Sequence, residues 1–108
     1  MHMADLGGHR LHYRIDGPDD GVPVVFANSL GTDLTLWDPI LPHLPKSLRV
    51  LRFDKRGHGN SDCPPRPWSM GALVRDTEQL MDQTGFKEAI FVGLSIGGMI
   101  AQGLAAKR

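Results

Sequence analysis

The sequence predicts an α/β fold built on a mostly parallel sheet with helices on both faces. Two features predict it: short apolar runs typical of buried parallel strands, and segments between them in which apolar residues fall at helical spacing. Three such runs occur, at residues 22–27, 48–53 and 89–94. Two strand–helix–strand passages in succession favour parallel strands, because a parallel neighbour is reached only through a crossover connection.

The first segment of the chain predicts an antiparallel hairpin over residues 5–16. A Gly-Gly turn dipeptide at 7–8 is followed by apolar residues that alternate with polar ones between Leu11 and Ile15. Turn-forming residues at 17–21 separate this hairpin from the first buried strand.

Two connections of different kinds are predicted around the second strand. Apolar residues from Leu36 to Leu44 fall at helical spacing, but Pro42 and Pro45 limit that helix to a short piece. Residues 55–68 contain three prolines and two glycines and are predicted to form an irregular loop.

A longer helix is predicted to run to about Thr84, because Ser69 can cap its N-terminus and Gly85 suits the position after its end. Its inward stripe is expected to consist of Leu73, Thr77, Leu80, Met81 and Thr84. The third strand follows, and the small and apolar residues of 95–107 then show a second helical pattern.

Composition and charge exclude several classes of protein. Lys plus Arg and Asp plus Glu each total 12, so the formal net charge is zero, which argues against binding nucleic acid or an anionic membrane through bulk charge. No apolar run approaches the roughly 20 residues that a membrane span needs. The single cysteine, Cys63, excludes an intrachain disulfide and suits a reducing compartment, so we expect a cytoplasmic location.

The strongest chemical signal is the pentapeptide from Gly93 to Gly97, which has the Gly-x-Ser-x-Gly pattern of a nucleophile elbow. In such an elbow Ser95 would stand at the apex of a tight strand-to-helix turn, whose strained backbone needs small residues two before and two after it. Gly98 is expected to give further room for close packing of helix on strand. Ser95 is therefore the candidate nucleophile, and an ordinary strand–helix turn is the alternative.

A second signal is the turn Asn28-Ser29-Leu30-Gly31, directly after the first buried strand. Acyl transfer needs two donors directed at a developing oxyanion. We expect the Ile96 amide, at the start of the helix after the elbow, to be one donor and the Leu30 amide to be the other. A plain polar turn is the alternative interpretation.

A third signal is the glycine-containing run 54–61, which indicates a tight loop at the carboxyl end of the second strand. Asp54 and Arg56 are expected to tie this loop down by hydrogen bonds. His58 is interpreted as a structural loop residue, because glycine on both sides gives it no rigid mount for catalysis.

Three motifs in this order resemble the N-terminal part of the α/β-hydrolase fold family. They are the Asn-Ser-Leu-Gly turn at 28–31, the Asp-x-Arg-Gly-x-Gly-x-Ser run at 54–61 and the elbow at 93–97. The resemblance implies that residues 1–108 are the N-terminal portion of a single α/β-hydrolase domain.

The stretch 26–33, together with Trp37, is more closely similar to the 3-oxoadipate enol-lactonases, which have Asn-Ser where many relatives have His-Gly. This resemblance implies a hydrolase that opens a carboxylic ester or lactone, 3-oxoadipate enol-lactone of aromatic degradation through β-ketoadipate, with a serine nucleophile. It implies a small-molecule ester or lactone as the ligand, no metal and no organic cofactor.

In that family the acid and histidine of the triad follow the serine, on later strands, as does the cap over the substrate. This chain stops in the helix after Ser95, and its five histidines all precede Ser95. We therefore expect the C-terminal strands, the cap and two triad members to be absent from it. Since an unassisted serine is a poor nucleophile, the chain alone is expected to be inactive.

The strand before Ser95 is central in the family's sheet, whereas here it is expected to form an unpaired edge of Ala89, Ile90, Phe91 and Val92. An apolar edge invites pairing with another chain. We expect either a second chain that carries the C-terminal half or self-association of copies through this edge.

Three other functions remain open. Another serine esterase or a cofactor-free haloperoxidase of the same fold would share the elbow and the oxyanion turn. A dinucleotide-binding fragment is disfavoured, because Gly93-x-Ser95-x-x-Gly98 has serine where the middle glycine of that motif is needed. A fragment without catalytic activity, which only binds the rest of its enzyme, is the third.

Overall fold

The computed structural model describes residues 2–107, which form a five-stranded sheet with the strand order β1-β2-β4-β3-β5. The strands are β1 (His2–Asp5), β2 (Arg10–Asp16), β3 (Val22–Ala27), β4 (Leu48–Phe53) and β5 (Ile90–Gly93), and the α-helices are α1 (Met70–Thr84) and α2 (Ile96–Lys107). The predicted α/β class and the order of its elements are confirmed.

The sheet joins an antiparallel part to a parallel part. β1 and β2 form a hairpin around the predicted turn, but β1 lies at residues 2–5, before the predicted range of 5–16, and β2 also pairs antiparallel with β4. β3 lies between β4 and β5 and is parallel to both. The carboxyl ends of these three parallel strands therefore open onto the same edge of the sheet, where ligand sites of α/β folds lie.

Alternating side chains of the parallel strands fill two separate cores. Val25 and Ala27 of β3 face the side that α1 and α2 cover, and a single cluster of buried residues joins both helices to the sheet. Val24 and Phe26 face the opposite side, where Trp37 completes a smaller cluster. Burial on both faces explains why β3 is a continuous apolar run and does not alternate.

The helix predicted between the first two parallel strands is instead two 3₁₀ turns, Leu34–Trp37 and Leu41–His43. Pro39 and Pro42 have no N–H to donate to an α-helical ladder, so the chain advances in short pieces. The sheet thus has helical elements on both faces, as predicted, with the α-helices on one face and the 3₁₀ turns on the other.

Helix α1 begins and ends at the predicted residues. The Ser69 hydroxyl accepts a hydrogen bond from the Ala72 amide at the N-terminus, and Gly85 ends the helix in the left-handed conformation with φ +81°. Four members of the predicted inward stripe are buried, and Thr84 is half-buried with its hydroxyl donating to the Leu80 carbonyl.

Arg52 interrupts the apolar run of β4 and has a structural role. Arg52 is buried on the face of the 3₁₀ turns, where its guanidinium donates to the Leu34 carbonyl and pairs with Asp38 and Asp16. A buried charge needs such partners. Arg52 therefore joins the first 3₁₀ turn to the sheet.

β5 is an edge strand of the sheet that residues 2–107 form. Ile90 is 57% exposed and Val92 37% exposed, so part of its apolar surface faces solvent.

No helix among residues 2–107 is long and apolar enough to cross a membrane. Nor do they contain a group of three or more His, Cys, Asp or Glu side chains that could hold a metal ion.

Candidate active site

Ser95 lies at the bend between β5 and α2, with φ +58°. It is the only residue other than glycine with a positive φ in the described part of the chain. A side chain in the left-handed region is strained by about 1–3 kcal/mol, and such strain is concentrated at functional sites. Ser95 is exposed and precedes the first residue of α2, so its hydroxyl is outside the regular helix.

The two elbow glycines are required by close contacts of the backbone. A β-carbon at Gly97 would lie 2.1 Å from the Ala27 carbonyl oxygen, and one at Gly93 would lie 2.4 Å from the carbonyl carbon and oxygen of Gly97. Real β-carbons essentially never approach other atoms so closely. Glycine at these two positions allows α2 to begin directly against β3.

The expectation for Gly98 is wrong. A β-carbon there would meet its nearest neighbour, the Gly93 carbonyl oxygen, at 3.7 Å, an ordinary van der Waals contact. Gly97, one residue earlier, is where α2 contacts the sheet. Gly98 lies on another side of the helix, where a methyl group has room.

The elbow follows β5 and the turn at 28–31 follows β3, and these two strands are neighbours in the sheet. Ala27 pairs with Gly93, and the Leu94 amide donates to the Ala27 carbonyl at 3.1 Å. Both oxyanion candidates, the amides of Leu30 and Ile96, therefore lie at the same edge of the sheet. No acceptor among residues 2–107 takes a hydrogen bond from either amide.

The Ile96 amide has a further property, because it begins the 12-residue helix α2. The first amides of a helix have no partner within it and carry the positive end of its dipole. An anion beside Ser95 would therefore be stabilised by this helix end.

Asn28 fixes the start of the turn through its side chain. It is fully buried, donates from Nδ2 to the Phe53 carbonyl at 2.8 Å and accepts at Oδ1 from the Trp37 indole at 2.6 Å. Trp37 in turn packs against the Phe26 ring, with the ring centroids 4.7 Å apart. The Asn-Ser variant and Trp37, on which the sequence comparison depended, are thus in direct contact.

Lys55 binds the same turn from the interior of the protein, and the sequence analysis did not identify it. Its side chain is buried, and Nζ donates to the carbonyl of Ser29 at 2.9 Å and to that of Asn28 at 3.3 Å. Burial lowers the pKa of Lys55 to about 8, although the neighbouring Asp54 carboxylate acts in the opposite direction. The only feature of the sequence that could have identified Lys55 is its position, two residues after the end of the buried strand β4.

Asp54 ties the loop down as predicted. Its buried carboxylate accepts from the Leu34 amide at 2.7 Å, the Asn60 amide at 3.0 Å and His12 Nδ1 at 2.8 Å. A β-carbon at Gly59 would lie 2.2 Å from this carboxylate, which explains the glycine there.

Arg56 also ties the loop down, but to helix α1. Its guanidinium donates to Asp76 at 2.7 and 2.9 Å, and these hydrogen bonds raise the pKa of Arg56. His9 Nε2 lies 3.0 Å from the same carboxylate. The ion pair thus connects the hairpin, the loop and α1.

An open cleft of about 930 Å³ lies beside the turn. His58 lines it while its Nδ1 donates to the Arg56 carbonyl at 3.0 Å, which agrees with a structural role in the loop. Leu30 is among the lining residues described, whereas Ser95 is not. The lining residues are Leu30, Gly31, Thr32, Asp33, Thr35, Leu36, Gly57, His58, Gly59, Arg66 and Trp68.

Comparisons with known proteins agree with this geometry. The family model of the alpha/beta hydrolase fold matches residues 22–108. A 3-oxoadipate enol-lactonase of Acinetobacter baylyi is 37% identical over 99 residues, which are 92% of this chain and 37% of that protein. The human serine hydrolase BPHL is 34% identical over 106 residues, 94% of this chain and 36% of that protein.

The crystal structure of the enol-lactonase from Burkholderia xenovorans LB400 superposes with a TM-score of 0.93 at 44% identity. The matched part is 98% of this chain and 42% of the crystallised one. The chain therefore spans less than half the length of each of these relatives.

The elbow geometry predicts opposite effects for two neighbouring glycines. Gly97→Ala forces a methyl group onto the Ala27 carbonyl and should destabilise the fold by about 3 kcal/mol, the upper end of the usual cost of overpacking. Gly98→Ala is the matched control and should stabilise it by about 1 kcal/mol through helix propensity. Thermal unfolding followed by circular dichroism measures both, and equal melting temperatures for the two variants would contradict the close approach.

The buried lysine predicts a pH dependence of stability. Because the pKa of Lys55 falls from 10.5 to about 8 on folding, only the unfolded chain keeps this proton between those values. The free energy of unfolding therefore rises with pH across that window, by roughly 3 kcal/mol in total. The melting temperature of the wild type should rise relative to that of Lys55→Met from pH 7 to 10.

Lys46→Met, at an exposed lysine, is the control for this comparison. Its melting temperature should keep a constant difference from the wild type over the same range. A constant difference for Lys55→Met as well would show that Lys55 is not desolvated in the folded chain.

Proposed function

The chain belongs to the α/β hydrolase family, and on this premise we propose that the protein containing it hydrolyses carboxylic esters or lactones with Ser95 as the nucleophile. The observation that carries the proposal is the strained backbone of Ser95, φ +58°, at an exposed bend between a strand and the start of a helix. A regular strand–helix turn has no need for this strain.

The proposed reaction has two stages. Ser95 Oγ attacks the carbonyl carbon and gives its proton to a base, while the carbonyl oxygen becomes an anion that the amides of Leu30 and Ile96 stabilise. Collapse of this intermediate breaks the bond to the alcohol or enol oxygen, which takes the proton and leaves an acyl-enzyme. Water then attacks the acyl-enzyme, restores Ser95 and releases the acid, which in a lactone is the ring-opened product.

The proposal assigns the base and its acidic partner to the remainder of the whole protein. The chain spans only 36–42% of the lengths of the relatives compared. His9 and His12 already contact the buried carboxylates of Asp76 and Asp54, and His58 donates to a main-chain carbonyl. These contacts support a structural role for the three.

The substrate we propose is 3-oxoadipate enol-lactone. Two relatives named for enol-lactone hydrolysis are 37% and 44% identical to this chain, and Asn28 and Trp37 of the similar stretch form one buried contact. A cytoplasmic location is part of the same proposal, supported by the lone, exposed Cys63.

Hydrolysis of a different ester by the same serine is the second candidate. It is favoured by the likeness to the human serine hydrolase BPHL, which extends over 94% of the chain. The two candidates share Ser95 and both oxyanion amides, so substrate preference distinguishes them.

We further propose that the edge of β5 pairs with another strand. In the whole protein that strand belongs to the remainder of the sheet, and in the isolated chain it is supplied by a second copy. The exposed apolar side chains of Ile90 and Val92 support this, because an uncovered apolar edge is a template for pairing.

The nucleophile is tested in a chimera in which this chain replaces the structurally matched N-terminal part of the B. xenovorans enol-lactonase. We expect the chimera to hydrolyse the enol-lactone, and Ser95→Ala to lower kcat by at least about 10³-fold. In the full-length protein that contains this chain, we expect the enol-lactone to be hydrolysed faster than a simple aryl ester. Ser47→Ala, at an exposed serine, is the matched control. Full activity of Ser95→Ala would refute the nucleophile, and a preference of the full-length protein for the aryl ester would favour the second candidate.

The β5 edge is tested by sedimentation of the isolated chain over a range of concentrations. We expect association at high concentration that Val92→Lys abolishes, because a charge on an edge opposes strand pairing. Ile40→Lys, at an exposed apolar residue away from β5, should leave association intact. A wild-type chain that stays monomeric throughout would contradict the proposal.

A further inference from the structure

The Ser29 carbonyl is held by two donors on one side of the turn. Lys55 Nζ donates to it at 2.9 Å, and Thr32 Oγ1 donates to it at 2.7 Å. A carbonyl oxygen has two lone pairs, so both of its acceptor positions are used. Lys55 is buried, so this carbonyl is directed toward the interior of the protein.

The orientation of the carbonyl decides that of the Leu30 amide. The peptide bond between Ser29 and Leu30 is trans, and in a planar trans unit the C=O and N–H groups point in opposite directions. With the carbonyl directed inward, the Leu30 N–H faces outward. Leu30 itself is 68% exposed, and the amide has no acceptor among the described residues.

We propose that Lys55 is a positioning residue that fixes and polarises the Leu30 amide by binding the opposite end of the same peptide unit. A cation on the carbonyl oxygen draws electron density from the peptide and makes its N–H a stronger donor. The consequence for catalysis rests on the proposed function, because it requires an oxyanion at this amide. The orientation of the peptide unit does not depend on the proposed function.

Two elements of the sheet bring titratable side chains close to Lys55. Asp54, at the end of β4, is the carboxylate that acts on the ammonium, and His12 of β2 contacts that carboxylate at 2.8 Å. The turn after β3 contributes only the neutral carbonyls of Asn28 and Ser29. Burial outweighs the attraction of Asp54 and brings the pKa of Lys55 to about 8. Above this pH the amine still donates hydrogen bonds, but the polarising charge is lost.

The direct test follows the Leu30 amide nitrogen of the full chain by ¹³C-detected ¹³C–¹⁵N NMR, which correlates it with the Ser29 carbonyl carbon, as the pH is raised from 6 to 10. This detection does not need the amide proton, which is exposed and exchanges rapidly with water at high pH. In the wild type we expect its resonance to move with a midpoint near pH 8. Lys55→Met should abolish this titration, and Lys55→Gln, which keeps a donor without the charge, should abolish it too while leaving the amide nearer its wild-type position. Lys46→Met should titrate like the wild type.

Thr32→Val keeps the test decisive if the Lys55 variants do not fold. It removes one of the two donors to the Ser29 carbonyl and leaves the other, so the Leu30 resonance should be displaced while its titration near pH 8 persists. A Leu30 amide that does not titrate in the wild type, or that titrates unchanged in Lys55→Met, would overturn the proposal.

A kinetic measurement separates this inference from the proposed function. In the enol-lactonase chimera, Lys55→Met should lower kcat by about tenfold and leave KM nearly unchanged, because the oxyanion forms only in the transition state. An inactive chimera with an intact Leu30 titration would refute the proposed function and support the role of Lys55. An active chimera in which Lys55→Met changes neither kcat nor the titration would refute the role of Lys55 alone.

Discussion

The contact between Gly97 and the Ala27 carbonyl sets the distance between helix α2 and the sheet. A β-carbon at position 97 would lie 2.1 Å from that oxygen, so the helix can begin this close to β3 only with glycine there. The close approach leaves only Leu94 and Ser95 between the strand and the helix, and Ser95 turns the chain at φ +58°. The strain at Ser95 is thus a consequence of packing between a helix and a neighbouring strand.

The carboxyl edge of the parallel strands is stabilised by buried polar groups. Asp54, Lys55 and Asn28 are each at most 2% exposed, and all three direct hydrogen bonds to main-chain groups of neighbouring segments. Burying two charges is costly unless their hydrogen bonds are satisfied, and such groups often add little net stability. Asn28 and Lys55 fix the conformation of the turn at 28–31, whereas Asp54 fixes the amides of Leu34 and Asn60 in the segments beside it.

Much of the fold could be predicted because its signals are local. The strand boundaries of β3 and β4 follow the apolar runs, and Ser69 and Gly85 carry the capping chemistry of α1 within one turn of the chain. The helix predicted after β3 was the main departure, and it became two 3₁₀ turns around Pro39 and Pro42. Helical spacing of apolar residues does not distinguish one α-helix from two shorter turns when prolines interrupt the ladder.

The sequence by itself determined strands β2 to β5, the two α-helices and the elbow, because period, caps and the Gly-x-Ser-x-Gly pattern lie within short stretches of chain. Only the tertiary structure decided that Lys55 lies beneath the turn, 26 residues after Ser29, and that Gly97 meets Ala27 while Gly98 has room for a methyl group. The burial of a lysine and the clearance around a glycine depend on segments distant along the chain. No local pattern records which of them will meet, because folding alone brings the ends of β3, β4 and β5 to one edge.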